Sequence, residues 1–242
     1  MPFTFSHPAI VLPLRLLPGN WFSLTGLVVG SMTPDFEYFL RMRIGSRYSH
    51  TIPGLFWFDL PLGLVLAFLF HLVVRDDLLN NLPPVLRARL SNFLSFDYKS
   101  YFFRNFHIVI VSILIGAASH LFWDGFSHRN GFFVKLMPTL QNWVYLFEWK
   151  LPGYRVIQHA STVIGGLIIA VVIYGLPTQQ TNGNIDYRYW ICAASLTIVI
   201  FLVRVLISLN NLVYGDVIVS VISATLFSLI LTPLIFKFFK KV

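Results

Sequence analysis

The chain has 242 residues, 56% of them hydrophobic and only 12% charged, with a formal net charge of +8 and a mean hydropathy of +0.72. That is too apolar for an ordinary soluble domain and describes a polytopic integral membrane protein. The positive excess suits anionic headgroups, and without a basic, aromatic-interleaved surface motif it does not argue for nucleic acid.

In chain order, the opening Met1-Pro2-Phe3-Thr4-Phe5-Ser6-His7-Pro8 has neither the basic region nor the small-residue cleavage site of a secretory signal and is expected to remain in the mature protein. Trp21–Met32 is only about a dozen residues before Pro34-Asp35, which predicts a re-entrant or interfacial helix rather than a crossing. Five later stretches approach the roughly 20 apolar residues that a crossing helix needs. They are Gly54–Val74, Phe106–Trp123, Ala160–Leu176, Tyr189–Leu209 and Val213–Phe236. Between the first two, Leu82–Leu94 begins with prolines suited to a first helical turn and then sets Leu86, Leu90, Phe93 and Leu94 on one face, the pattern of a helix lying in the interface. Phe132–Tyr154 interleaves Trp143, Tyr145, Phe147 and Trp149 with Lys135, Glu148 and Lys150, an amphipathic composition suited to a cover at headgroup depth. Gln179–Asn184 reads as a polar turn and Asn210–Leu212 as a short one. The lone Cys192 excludes an intramolecular disulfide. The prediction is an all-α fold forming a single integral membrane domain over residues 1–242, without repeats and with nothing that fixes an oligomeric state.

An odd number of spans decides which loops share a face. One face collects His7, Asp35, His50, His120, Asp124, His128 and His159, whereas His71 and His107 fall on the other. Eight Lys/Arg on the first face and nine on the second leave the positive-inside rule without a choice of orientation.

His120, Asp124 and His128 stand at i, i+4 and i+8, one face of a helix if it continues through Gly125, and two imidazoles with a carboxylate suit a divalent metal. Ionisable groups at a membrane boundary are costly without partners. Plainer roles exist for the others: His7 before Pro8 and His50 before the first span could cap helices, and Asp35 after Pro34 is ordinary turn chemistry. His128 beside Arg129-Asn130-Gly131 could be a turn residue, and His159 an interfacial histidine. Seven candidate ligands exceed the three or four that one zinc takes, so either two metals share a carboxylate, with Asp124 as the candidate bridge, or some residues support the ligands. A set without thiolates fits zinc first, or manganese or iron. Glu37 is a candidate general base or a solvated acid. Arg204, inside the fourth span, could hold a substrate phosphate, snorkel, or pair with Asp216, and Asp59 could orient a metal-binding histidine.

The opening Met1–Ala9, Gly30–Tyr38, Tyr48-Ser49-His50-Thr51, Leu60-Pro61-Leu62-Gly63, Ser119–His128 and Gln158–Thr162 together resemble a bacterial family of uncharacterised integral membrane proteins over about the first 175 residues. More distantly, an early His, then Pro-Asp, then Ser/Thr-His, then Ser-His-x-x-x-Asp resembles the inner-membrane metal-dependent hydrolases that are compared with zinc-dependent phospholipase C. The second resemblance implies ligand roles for His7, Asp35, His50, His120 and Asp124, with Glu37 standing where those hydrolases often carry a second Asp. His128 and His159 belong only to the closer family's pattern. The implied setting is the bacterial cytoplasmic membrane, and the implied activity is hydrolysis of a lipid or lipid-linked phosphate or ester by metal-activated water. Serine-hydrolase, zincin and P-loop designs lack their motifs here. Two other readings use the same residues: a non-enzymatic metal-binding or transport protein, or a structural clamp between helices.

Overall fold

A computed structural model describes residues 3–17, 21–181, 184–208 and 212–239. The chain is all-α in class, and five stretches are long and apolar enough to cross a membrane: Ile52–Asn80, Tyr98–Leu136, Gly153–Tyr174, Tyr187–Ile207 and Tyr214–Phe239. They coincide with the five predicted spans, so the protein is a polytopic helical membrane protein. Leu209, Asn210 and Asn211 of the predicted fourth span and turn, and Asn182-Gly183 of the polar turn, lie outside the described residues.

We number the helices α1 (Pro8–Val11), α2 (Leu24–Arg41), α3 (Ile52–Asn80), α4 (Pro84–Leu90), α5 (Tyr98–Ser127), α6 (Phe132–Leu136), α7 (Gly153–Tyr174), α8 (Tyr187–Ile207) and α9 (Tyr214–Phe239). Helices α3 and α5 outrun their apolar windows because a helix ends at its caps, not where hydropathy falls. Thr51 caps α3 by accepting from the Gly54 N–H at 3.0 Å, and Asp97 caps α5 by accepting from the Ser100 N–H at 3.1 Å. The apolar part of α5 starts where predicted, at Phe106, directly after a non-helical Asn105 (φ −131°, ψ 28°).

Two expectations are corrected. The segment read as a dozen-residue helix before Pro34 is an 18-residue helix with Pro34 inside it. Proline costs one ladder bond, the one its missing N–H would make to the Gly30 carbonyl, and the helix nevertheless continues to Arg41. The loop Phe132–Tyr154 holds more than an amphipathic cover. After α6, strands β1 (Trp143–Leu146) and β2 (Trp149–Pro152) form an antiparallel hairpin with Trp143 opposite Pro152. Its aromatic and branched residues favour strand. Trp143, Tyr145, Phe147 and Trp149 are exposed, and Lys150 Nζ lies 5.2 Å above the Trp143 ring, an arrangement suited to headgroup depth.

The chain forms two compact units. One comprises Met1–Pro34, Tyr48–Leu64 and Asn105–Val172, the other Asp35–Arg47, Val65–Arg104 and Ile173–Val242. In the first, α2 and α5 meet backbone to backbone. A Cβ on Gly30 would run into the Ile113 carbonyl, one on Gly116 would lie 2.6 Å from Ser31 N, and one on Gly26 would lie 2.7 Å from Ser112 Cβ. Small residues at a helix crossing allow this approach, and van der Waals packing drives association where lipid removes the hydrophobic incentive. The N-terminal segment docks on α7: the Phe3 N–H donates to Thr162 Oγ1 and Ser6 Oγ to the Thr162 carbonyl, both at 3.0 Å.

In the second unit α8 and α9 pack along each other and are tied by Thr197 Oγ1 donating to Ser228 Oγ at 2.8 Å. The turn after α2 is fastened from three sides. The Met42 carbonyl accepts from Arg204 Nη2 at 3.1 Å and Ser220 Oγ at 3.2 Å, and Asp216 Oδ1 accepts from the Ile44 N–H at 2.8 Å.

Candidate metal centre

The centre lies in the first unit and is built around Asp124. The sequence puts His120 and Asp124 one turn apart, and α5 is unbroken from Phe106 through Gly125 to Ser127. His120 Nε2 therefore stands 3.4 Å from Asp124 Oδ2. His50 is delivered by the tight turn into α3, where Thr51 Oγ1 donates to the Tyr48 carbonyl at 2.9 Å. Its Nε2 lies 3.5 Å from the same Oδ2. His7, held by the docked N-terminal segment, brings Nε2 to 3.8 Å from Oδ1 and stacks on His120 with ring centroids 3.8 Å apart. His128, one residue past the end of α5, approaches Oδ1 at 3.5 Å through Nδ1.

The plainer roles weighed for the first two histidines are not the ones found. His7 occupies the N-cap position of α1 but makes no capping hydrogen bond, and the cap of α3 is Thr51 rather than His50.

Each imidazole's other contact tells which nitrogen is available. A backbone carbonyl only accepts, so His120 Nδ1, 2.7 Å from the Ser31 carbonyl, carries the proton and donates. His120 Nε2 then aims a lone pair at a carboxylate oxygen. His50 Nδ1 is held by Ser49 Oγ at 3.0 Å, which leaves its Nε2 toward Asp124. His128 is different: its Nδ1 donates to the Asp124 carbonyl at 3.1 Å, so the nitrogen nearest the carboxylate is a donor and only Nε2 could ligate.

Burial sharpens the problem. His120 is fully buried, and His7 and Asp124 are 4% and 7% exposed. An anion withdrawn from water costs several kcal/mol unless countercharged, and the Asp124 carboxylate faces four imidazoles and the Ser127 hydroxyl. A cation between His120 Nε2, His50 Nε2 and Oδ2 resolves both the buried charge and the opposed lone pairs. The separations suit one: bonds of about 2.0–2.1 Å in tetrahedral array set ligand atoms about 3.3–3.4 Å apart. The donor atoms of His50, His120 and Asp124 all lie within 4.8 Å of one another.

The remaining predicted residues are placed as follows. Asp35 is fully buried on α2, one turn after Ser31, and is the first residue of the second unit. Glu37, also in that unit and 1% exposed, accepts from the Arg47 N–H at 2.7 Å and Arg41 Nη1 at 3.2 Å, which gives it the task of anchoring the turn after α2. Arg204 bonds the Met42 carbonyl and Ser208 Oγ, and its expected partner Asp216 bonds the Ile44 N–H instead. His159 is exposed on α7 and is not among the imidazoles around Asp124. Asp59 is fully buried in a π-helical turn of α3, Leu55–Asp59. His107 is exposed, and His71 stacks on Tyr98 at 4.3 Å.

Sequence reasoning missed the groups that orient the imidazoles. Ser49, adjacent to His50, was readable as a Ser-His pair, and Ser127 beside His128 likewise, its Oγ 3.3 Å from His128 Nδ1. The Ser31 carbonyl was not readable, since nothing local ties residue 31 to residue 120.

Fold and centre together define a polytopic helical membrane protein with a buried His/Asp cluster. The chain belongs to the family described as Domain of unknown function (DUF4184), whose model matches residues 1–234. That match runs past the 175 or so residues of the sequence resemblance and takes in most of α9. No curated protein and no solved structure matches the chain.

Proposed function

We propose that the protein is a membrane-embedded metal-dependent hydrolase acting on a lipid or lipid-linked phosphate or ester. The observation that carries this reading is the convergence of His50 Nε2 and His120 Nε2 on one Asp124 oxygen, with both Nδ1 atoms held from behind. Two imidazoles and a carboxylate, with His7 as a further donor at Oδ1, form a thiolate-free set that suits zinc, and after it manganese or iron. Three protein ligands, His50, His120 and Asp124, with His7 beside them rather than among them, would leave a position for a reactant, the arrangement of catalytic rather than structural sites. When bound there, a divalent ion supplies a Lewis acid and hydroxide at neutral pH for attack on an ester.

The chain's own residues do the rest. Ser31 and Ser49 fix the tautomers and ring planes of His120 and His50, which raises their basicity as ligands. Burial around His120 excludes bulk water and strengthens each electrostatic contact. His128, held by the Asp124 carbonyl, keeps an N–H toward Oδ1. The sequence resemblance supports a bacterial cytoplasmic membrane as the setting, where lipid esters are abundant.

The test is hydrolysis of a panel of lipid phosphoesters and a water-soluble aryl phosphodiester by zinc-loaded, detergent-purified protein. Turnover that disappears in Asp124→Asn and returns with metal only in the wild type supports the hydrolase. Metal binding without turnover of any of them favours the transport or storage reading instead.

A further inference from the structure

A cleft of about 350 Å³ opens in the first unit, between the N-terminal segment and α7, and shares a wall with the metal centre. It is lined by His7 and Ile10 from the N-terminal segment, by Ile157, Ala160 and Ile164 from α7, and by Trp123, the neighbour of Asp124 in α5. Two hydroxyls that reach it are already committed to backbone: Ser6 Oγ donates to the Thr162 carbonyl, and Ser161 Oγ to the Ile157 carbonyl at 2.6 Å. Among the described residues, the only titratable one in the lining is His7. A sugar, nucleotide or peptide would leave its polar groups unmatched on such walls, whereas hydrocarbon loses nothing. The volume lies at the low end for ligand pockets, room for one chain rather than a whole two-chain lipid. Only 6% of the most apolar stretch of α7 is buried within the chain, which leaves this helix open to the hydrocarbon of a surrounding bilayer.

We propose that this cleft takes one hydrocarbon tail of a membrane lipid and thereby brings the lipid's polar head to His7 at the edge of the metal centre. The chemistry at that head rests on the hydrolase reading above; occupancy of the cleft does not. The seat is preformed by the docking of Ser6 on α7, where a Cβ on Gly165 would stand 2.7 Å from the Ser6 carbonyl oxygen. The residues that bring His7 to the edge of the cluster also build the wall that aligns the tail.

The experiment uses full-length protein in lipid nanodiscs doped with phosphatidic acid bearing a diazirine at the end of one acyl chain. Photolabelled peptides are mapped by mass spectrometry, with metal content measured in parallel. Labelling of the α7 stretch 157–168 should saturate and be competed by unlabelled lipid. Ala160→Trp, which fills the cleft, should reduce it about tenfold, the scale on which apolar pockets discriminate. Gly166→Leu, on the same helix but where a Cβ meets nothing within 4 Å, should leave it unchanged. Should Ala160→Trp not fold, Ile164→Trp serves the same purpose. Labelling that is unsaturable, or equal in the filled and open proteins, overturns the proposal. Saturable labelling in a protein that turns over no ester would defeat the hydrolase reading and leave the tail cleft standing.

Discussion

His120 Nε2 lies 3.4 Å from Asp124 Oδ2 while the opposite nitrogen of the same ring donates to the Ser31 carbonyl. With its proton fixed on Nδ1, a neutral His120 would present a lone pair to a carboxylate oxygen inside the protein. Such a contact persists only if a second proton or a metal cation lies in it. Three further imidazoles press on the same carboxylate, two through Nε2 and one through Nδ1, and a shared cation serves more of them than one proton does.

Metal should therefore stabilise the fold. Binding to the native state alone adds about 2.7 kcal/mol when free metal is 100 times its Kd. A thermal unfolding scan in detergent should show a higher Tm with zinc than with chelator, and the difference should vanish in Asp124→Asn and in His120→Gln. Equal Tm values in the wild type with and without zinc would count against the cluster as a metal site.

The serines beside the histidines are not equivalent. Ser49 Oγ holds His50 Nδ1, whereas Ser119 Oγ donates to the Gly116 carbonyl at 2.6 Å and leaves His120 to Ser31. Ser49→Ala should weaken metal affinity by about 10–100-fold, and Ser119→Ala should leave it unaltered, as read by competition with a zinc indicator. Equal effects of the two would remove the orienting role assigned to Ser49.

Gly30 and Gly116 allow the approach of α2 to α5 that brings the Ser31 carbonyl to His120. Gly116→Val should cost about 1–3 kcal/mol by overpacking and lower metal affinity at the same time, though glycine has no side chain to offer a metal. Full metal affinity in a folded Gly116→Val protein would show that His120 does not depend on that crossing.

Glu37 separates two roles. As the anchor of the turn after α2, its replacement by Gln should speed hydrogen exchange at Arg47 while metal content stays whole. Unchanged exchange together with lost hydrolysis would restore it as a general base.

Asp97 gives a pH dependence outside the spans. Its side-chain hydrogen bond with Ser100, followed by the bond from the Ser100 N–H, holds its carboxyl below the ordinary range. A folded value below the unfolded one means the cap's contribution is fully present above about pH 3.9 and is lost as pH falls through the folded value. Hydrogen exchange in the first turn of α5 should rise on acidification below pH 4, and Asp97→Asn should flatten that dependence.

Hydropathy located the five helices that, among the described residues, are long and apolar enough to cross a membrane, because contact with lipid leaves a long apolar run in the sequence itself. Helical spacing gave the His120–Asp124 pair for the same local reason. What the sequence could not convey is set by contacts distant along the chain. Pro34 reads as a helix end in the sequence, yet α2, packed backbone to backbone on α5, runs through it to Arg41. Arg204 could by its place in the span snorkel, pair with Asp216 or hold phosphate, and its hydrogen bond to the Met42 carbonyl, 162 residues away, is not readable locally. Span counting and motif order bring His7 and His50 to the same face as His120, and the docking of Ser6 on Thr162 and the Thr51 cap show how the chain delivers them. His159 shares the predicted face and is nevertheless exposed, since a face assigned by span counting does not fix the side of a helix.

The most direct measurement is the metal content of the purified protein by elemental mass spectrometry, for the wild type and for a folded His120→Ala, Asp124→Ala double variant. The account predicts about one equivalent of a transition metal in the wild type, zinc first, and none in the variant. A wild type that holds no metal even after incubation with zinc, manganese or iron, or a variant that binds as much as the wild type, would contradict it.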